Sequence, residues 1–434
     1  MIIFLNFIQL LLFIWLTLAA ACLVSSCLCR EVELIEEYNL LKFNEPPGYP
    51  KNPKYEPEET ILTGIEAAHD RIFLAFPRIF GTGHPASFGF IPRRSSPHAF
   101  DKQSPLIEAY PSWEWHAAAT ADDVNNPASN CTGLVSVTRA RIDACNRLWV
   151  LDTGVLDALT VYNVVCPPKI LVFDLATDQV VRTINFPKSV LRPFSLFTSM
   201  VIDESTDKCD NAFLYLGDPL FPGLLVYDAK KDAAWRLSHP NMFAEPDYLF
   251  GESFTLMDGP VGITLSPNNE KLYFQSFASN KIYSISTSVL RGGPRGPGFP
   301  DADLPSVKLE FVKSSQAAPL ATDPLDGSIV VAPCNDTGII SFPGTNDPRL
   351  LAFDPVAMQF ILDIRAGPYD GDLWFVSSRL QKFFKKTLNR NEVNFRIMRL
   401  TSGHLPPFPL CNCQPTCPLK LNKILMIKVL KTRI

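Results

Sequence analysis

Six short apolar stretches recur along this chain and constrain its fold more than any other feature. They are RIFLAFPRI (71–79), RLWVLDTGV (147–155), AFLYLGDPL (212–220), KLYFQSFAS (271–279), SIVVAPCND (328–336) and DLWFVSSRL (372–380). Each follows a turn or a polar step, is rich in β-branched and aromatic residues, and reads as a strand. Their spacing leaves room for about four ordinary strands per unit. The flanks repeat as well. A strand-like run precedes each stretch (TGIEAAHD, LVSVTRARID, FTSMVIDES, GPVGITLSP, APLATDP, FILDIRAG), and another follows (SFGFIPRR, KILVFDLATDQ, GLLVYDAKK, KIYSISTS, GIISFPGT, NFRIMRL). A fourth is visible in VVRTINFP, AAWRLSHP and VKLEFVKS. Radial repetition of four-stranded units predicts an all-β fold, a six-bladed β-propeller. The sixth unit lacks a fourth strand after NFRIMRL. LIEEYNLLKFN (34–44) is placed to supply it, closing the ring with an N-terminal strand and leaving no open edge.

The rest of the chain frames this unit. Residues 1–29 carry no charged side chain and read as a secretory signal peptide, residues 34–402 as the propeller, and residues 403–434 as an atypical tail. The spacing in CNCQPTC matches no common zinc pattern. A net charge of −4 argues against a nucleic-acid partner, and no membrane contact is expected once the signal is removed. Eleven cysteines fit an oxidising compartment, and sequons at Asn130 and Asn335 predict glycosylation, so a secreted, extracellular protein is expected. Strand topology suggests two disulfides. Cys145 and Cys209 occupy equivalent turns between first and second strands of adjacent blades. Cys131 begins a first strand, and Cys166 lies in a loop of the same blade on the opposite face from those turns.

No metal or cofactor motif, nucleophile elbow or phosphate loop is present, and the six histidines are scattered. Ligands favour the concave mouth of a propeller channel, where second strands end and first strands begin. The second-strand ends there offer Asp152, Thr153, Asp218, Ser276, Phe277, Ser378 and Arg379 as candidate ligand-binding residues. Asp152 and Asp218 could pair an ammonium, with Phe76 and Phe277 enclosing a ring; equally, both aspartates could bond turn backbone. Glu252 and Asp258, in the loop before the fourth unit's first strand, could also face the mouth. At strand spacing Trp113 and Trp115 share a face, and packing between blades is expected of them.

Several long segments, among them IDACNRLWVLDTGV, CPPKILVFDLATDQVVRTINFP, GESFTLMDGPVGITLSP, CNDTGIISF and LWFVSSRLQKF, resemble the yellow/major royal jelly protein family of insects, over about residues 34–400. The resemblance implies a secreted six-bladed propeller. It also implies roles from cuticle pigmentation and dopachrome conversion to nutrition and biogenic-amine binding in the channel. Ser378 stands where many members carry Asn, which should weaken amine binding. The expected function is a secreted yellow-like protein of the cuticle, melanin pathway or extracellular matrix, binding a small aromatic catechol or indole without a cofactor. A dopachrome isomerase is the alternative, and it needs a proton acceptor near the ligand with a pKa close to working pH. A metal-dependent lactonase-like hydrolase follows from fold analogy, and the first strands offer it few acids.

Overall fold

The first strands of the six units touch one another in sequence around a central channel, and the sixth touches the first. The computed structural model describes residues 30–49, 55–80, 83–93, 104–117, 131–205, 209–245, 256–294 and 307–402. Each unit is a four-stranded antiparallel sheet. Blade 1 is Gly64–Ala67, Arg71–Ala75, Phe88–Pro92 and Glu108–Ala109. Blade 2 is Val137–Ile142, Arg147–Asp152, Lys169–Asp174 and Gln179–Asn185. Blade 3 is Ser199–Asp203, Phe213–Asp218, Gly223–Asp228 and Ala233–Leu237. Blade 4 is Pro260–Leu265, Lys271–Ser276, Lys281–Ser286 and Lys308–Val312. Blade 5 is Ala317–Thr322, Ile329–Pro333, Gly338–Phe342 and Arg349–Phe353. Blade 6 is Phe360–Ala366, Leu373–Ser378, Phe395–Leu400 and, from the other end of the chain, Val32–Tyr38.

The recurring apolar stretches are the second strands. Each is covered on both faces by neighbouring blades, so it needs apolar side chains at nearly every position; Phe213–Asp218 and Leu373–Ser378 are buried throughout. A second element of the repeat lies in the turn before them. The Trp149 indole donates to Asp143 (2.8 Å), the Trp374 indole to Asp370 (2.9 Å), and the Tyr215 hydroxyl to Asp203 (2.7 Å). In three blades, therefore, an acid at the first-to-second turn accepts from an aromatic donor on the second strand. This satisfies a polar group that the core would otherwise strand.

The closing strand is shorter than the 34–44 expected. Val32–Tyr38 pairs antiparallel with Phe395–Leu400, after which the chain leaves the sheet. Phe43 then forms a parallel bridge with Ile107, and the Asn44 amide donates to the Ile107 carbonyl (2.9 Å), so the same segment also covers the outer edge of blade 1. Two disulfides join the predicted pairs. Cys131–Cys166 and Cys145–Cys209 have Cα atoms 5.6 and 5.9 Å apart, and the second ties blade 2 to blade 3. Among the described residues Cys334 has no disulfide partner, and Asn335 is exposed on the turn beside it. The signal segment, Asn130, Glu252 and the tail lie outside the described residues.

The tryptophan expectation needs correction. Trp113 and Trp115 do not lie on a strand, because Glu114–Ala117 is a short helical turn. Trp115 still packs between blades, edge-on to Phe173 at 5.8 Å, while Trp113 rests on Phe43 and Tyr49.

Candidate functional site: a cavity at the channel mouth

A cavity of about 120 Å³ sits where the first strands begin, enclosed mainly by apolar side chains such as Ile79, Leu196, Leu220, Val261, Leu362 and Phe384. Of the candidate residues, Thr153 and Phe277 line it. The Thr153 hydroxyl donates to the Ser136 carbonyl (3.0 Å), and Phe277 stacks on Phe360 with ring centres 6.2 Å apart.

The other candidates point into the protein's own bonding. Asp152 is fully buried and accepts from the amides of Val135 (3.0 Å), Ser136 (2.8 Å) and Gly154 (3.1 Å) and from the Lys169 ammonium (2.8 Å). Burial alone would raise its pKa; Lys169 and the amides outweigh this and hold the carboxyl below its ordinary value. Asp218, also fully buried, accepts from the amides of Leu196 and Phe221 (both 3.1 Å) and from Arg236 (2.9 Å). The two carboxylates expected to meet a ligand thus fasten loops, as aspartates at turns commonly do. Ser276 donates to the Met242 carbonyl (2.8 Å). Ser378 is buried, and among the described residues its hydroxyl has no hydrogen-bond partner; Arg379 pairs with Glu392, and neither lines the cavity. Phe76 is fully buried, edge-on to Phe43 at 5.5 Å. His84 and His116 are buried too, each bonded to a backbone carbonyl. Burial, assisted by Arg78, pushes both imidazoles down to about 3, so they stay neutral.

What the cavity does contain is Asp258. This side chain lines it and is half-buried. Among the described residues no hydrogen-bond donor reaches its carboxylate. Burial among apolar walls pushes its pKa up to about 7. The backbone holds it firmly. The Gly259 amide donates to the Pro219 carbonyl (2.9 Å), and the Phe277 amide donates to the Gly259 carbonyl (2.9 Å). A Cβ at Gly259 would meet the Met242 carbonyl oxygen at 2.8 Å, so only glycine lets this loop lie so close. The sequence places Asp258 in a mouth loop; its isolation depends on residues of all six blades meeting around the cavity, which sequence periodicity does not encode.

Arg139 forms part of the cavity's inner wall. Its guanidinium donates to the carbonyls of Thr63 and Leu362 and lies 3.8 Å from Asp363. The first strands carry three acids, Glu66, Asp203 at the end of its strand, and Asp363. All three are paired with arginines, Asp203 with Arg291 and the others within the channel. Among the described residues no cluster of three or more metal-ligating side chains occurs.

Residues 135–406 match the sequence pattern of the family described as Major royal jelly protein. The chain belongs to this family. A Dopaminechrome tautomerase of Drosophila melanogaster is 28% identical over 388 residues, covering 83% of this chain and 79% of that protein. Major royal jelly protein 9 of Apis mellifera is 26% identical over 380 residues, covering 82% and 84%. Protein yellow of Drosophila melanogaster is 27% identical over 365 residues, covering 79% and 63%. Among solved structures, a luciferin-regenerating enzyme superposes with a TM-score of 0.46 at 10% identity, over 87% of this chain and 97% of that one, a likeness too distant to carry an argument.

Proposed function

We propose that this yellow-family propeller takes a small catechol- or indole-derived ring into the mouth cavity and isomerises it, with Asp258 as the proton acceptor. One observation carries the reading: a lone carboxylate in an apolar pocket, its pKa raised to about 7. A general base works best with a pKa near the operating pH, and an ordinary surface aspartate is too weak a base for this. Isomerisation of an aminochrome to a dihydroxyindole moves two protons, one from each of two adjacent ring carbons to the two quinone oxygens, and leaves the electron count unchanged, so it needs no redox partner. Asp258 would take the first carbon-bound proton and the second would leave to solvent, both oxygens ending protonated, while Arg139 at the inner wall supplies positive charge for the oxygen that gains electron density. Phe277 and the aliphatic walls enclose the ring.

The name of the Drosophila relative supports the reaction class. Two disulfides and the apolar leading segment support secretion, and with it a place in the melanin pathway or cuticle matrix. A second reading, ligand storage without turnover, draws on the same carboxylate as a counter-ion for an ammonium; it is favoured by the absence, among the described residues, of a hydrogen-bonded group that orients Asp258. The test is the loss of dopaminechrome absorbance with the purified protein, an Asp258→Asn variant and a buffer control. Isomerisation predicts acceleration that Asp258→Asn abolishes. Storage predicts binding without acceleration.

A further inference from the structure

From Arg139 inward, the first strands of blades 1, 2 and 6 bring five ionic side chains together, Arg139 among them. Arg141 lies 3.5 Å from both Glu66 and Asp363, and Arg365 lies 3.2 Å from Asp363. All are enclosed, with side-chain exposures of 7% for Arg139 and Arg141, 6% for Glu66, 2% for Asp363 and 12% for Arg365. Three guanidiniums thus face two carboxylates, and the balance is positive even with both acids ionised.

The bonding within the cluster is uneven. Asp363 is well supplied, since the Ile65 amide also donates to it (3.2 Å). Arg139 and Arg141 reach backbone carbonyls on their own and neighbouring strands. Arg365 is different. Among the described residues its ion pair runs from Nε to Asp363 without a hydrogen bond, and its terminal nitrogens make no hydrogen bond to the protein. The Nε atoms of Arg139 and Arg365 are buried and make no hydrogen bond. Burial, with Arg141 beside it, pushes the Arg365 guanidinium down to about 9, the mark of a cation short of counter-charge. An enclosed guanidinium with free donors is well suited to an oxyanion, which it can bind through two parallel hydrogen bonds.

We propose that the channel holds a second site, distinct from the mouth cavity, in which Arg365 and Arg141 bind a small inorganic oxyanion of the phosphate type. The anion supplies the missing negative charge and occupies the donors that Arg365 leaves open. The site does not depend on Asp258 or on the isomerase reading.

Titration of inorganic phosphate at constant ionic strength, followed by thermal unfolding and by calorimetry, tests this. The wild-type protein should show a saturable rise in Tm as phosphate reaches about 10 mM, as expected for a ligand that binds only the folded state. Arg365→Gln should fold with an unchanged or higher Tm without phosphate and need at least about tenfold more phosphate for the same rise. Arg365→Lys, which keeps the charge, should retain part of the response. A wild-type Tm that does not respond to phosphate, or an equal response in Arg365→Gln, overturns the proposal. Should the Gln variant fail to fold, calorimetry on the wild type and on Arg365→Lys decides: no heat from either rejects the site.

Discussion

Asp152 and Asp258 are both acids at the channel mouth, and their surroundings give them opposite properties. Asp152 has three amides and a lysine; Asp258 has apolar walls. Replacing Asp152 with Ala leaves the Lys169 ammonium buried and unpaired, and should cost about 3–5 kcal/mol in denaturant unfolding. Asp258→Asn should act in the reverse sense. Its folded-state pKa lies above that of the unfolded chain, so its contribution to stability is complete below the unfolded value near 4 and is lost as pH rises to about 7. At pH 8 the native protein carries a poorly solvated charge. The Asn variant should therefore be more stable there, by roughly 1–3 kcal/mol, and no more stable at pH 4. Thermal unfolding at both values checks this; equal Tm differences at the two pH values contradict it. Asp152 could be identified from sequence as a mouth acid, and so could its alternative role in turn bonding. The choice between roles could not, because Lys169 reaches it from a different strand.

At the scale of elements, two devices hold the ring. One is the acid of the first-to-second turn. In blade 3, Asp203 accepts from the Tyr215 hydroxyl and from Arg291 Nε (2.8 Å) and Nη2 (2.6 Å). Asp203→Ala strands a buried hydroxyl and a cation together and should destabilise by about 3–5 kcal/mol, whereas Asp203→Asn, which keeps an acceptor, should cost less. Denaturant unfolding of the two variants separates them, and equal costs would mean that the hydrogen bonds contribute little. The second device is ring closure. Deleting residues 30–44 exposes the Phe395–Leu400 edge and uncovers blade 1 at Ile107. The truncated protein should aggregate or unfold in more than one step, and single-step unfolding at an unchanged Tm would contradict this. The strands were legible because covering both faces demands apolar runs that repeat. The end of the closing strand was not: LLKFN is as apolar as a strand, but it turns away to cover a different blade.

For the whole molecule, the ring converts six similar sequences into one asymmetric channel. The repeat fixes where first strands begin, and hence which loops meet at the mouth. It does not fix which loop side chain lacks a partner. Only the assembled ring isolates Asp258 and gathers Glu66, Arg139, Arg141, Asp363 and Arg365, which come from three blades far apart in sequence. Glycine at 259 links the two scales, since a larger residue there would meet the Met242 carbonyl and displace the loop that carries Asp258 and forms part of the cavity wall. Gly259→Ala should accordingly lower turnover several-fold while the protein stays folded, as a comparison of rate and circular dichroism would show. The most direct test of the account is the pH dependence of dopaminechrome conversion by the wild-type protein. If Asp258 is the base, the catalysed rate rises with pH through a single ionisation near 7, and Asp258→Asn removes that rise. A catalysed rate that does not change between pH 5 and 9, or a pH profile that survives in Asp258→Asn, would contradict it.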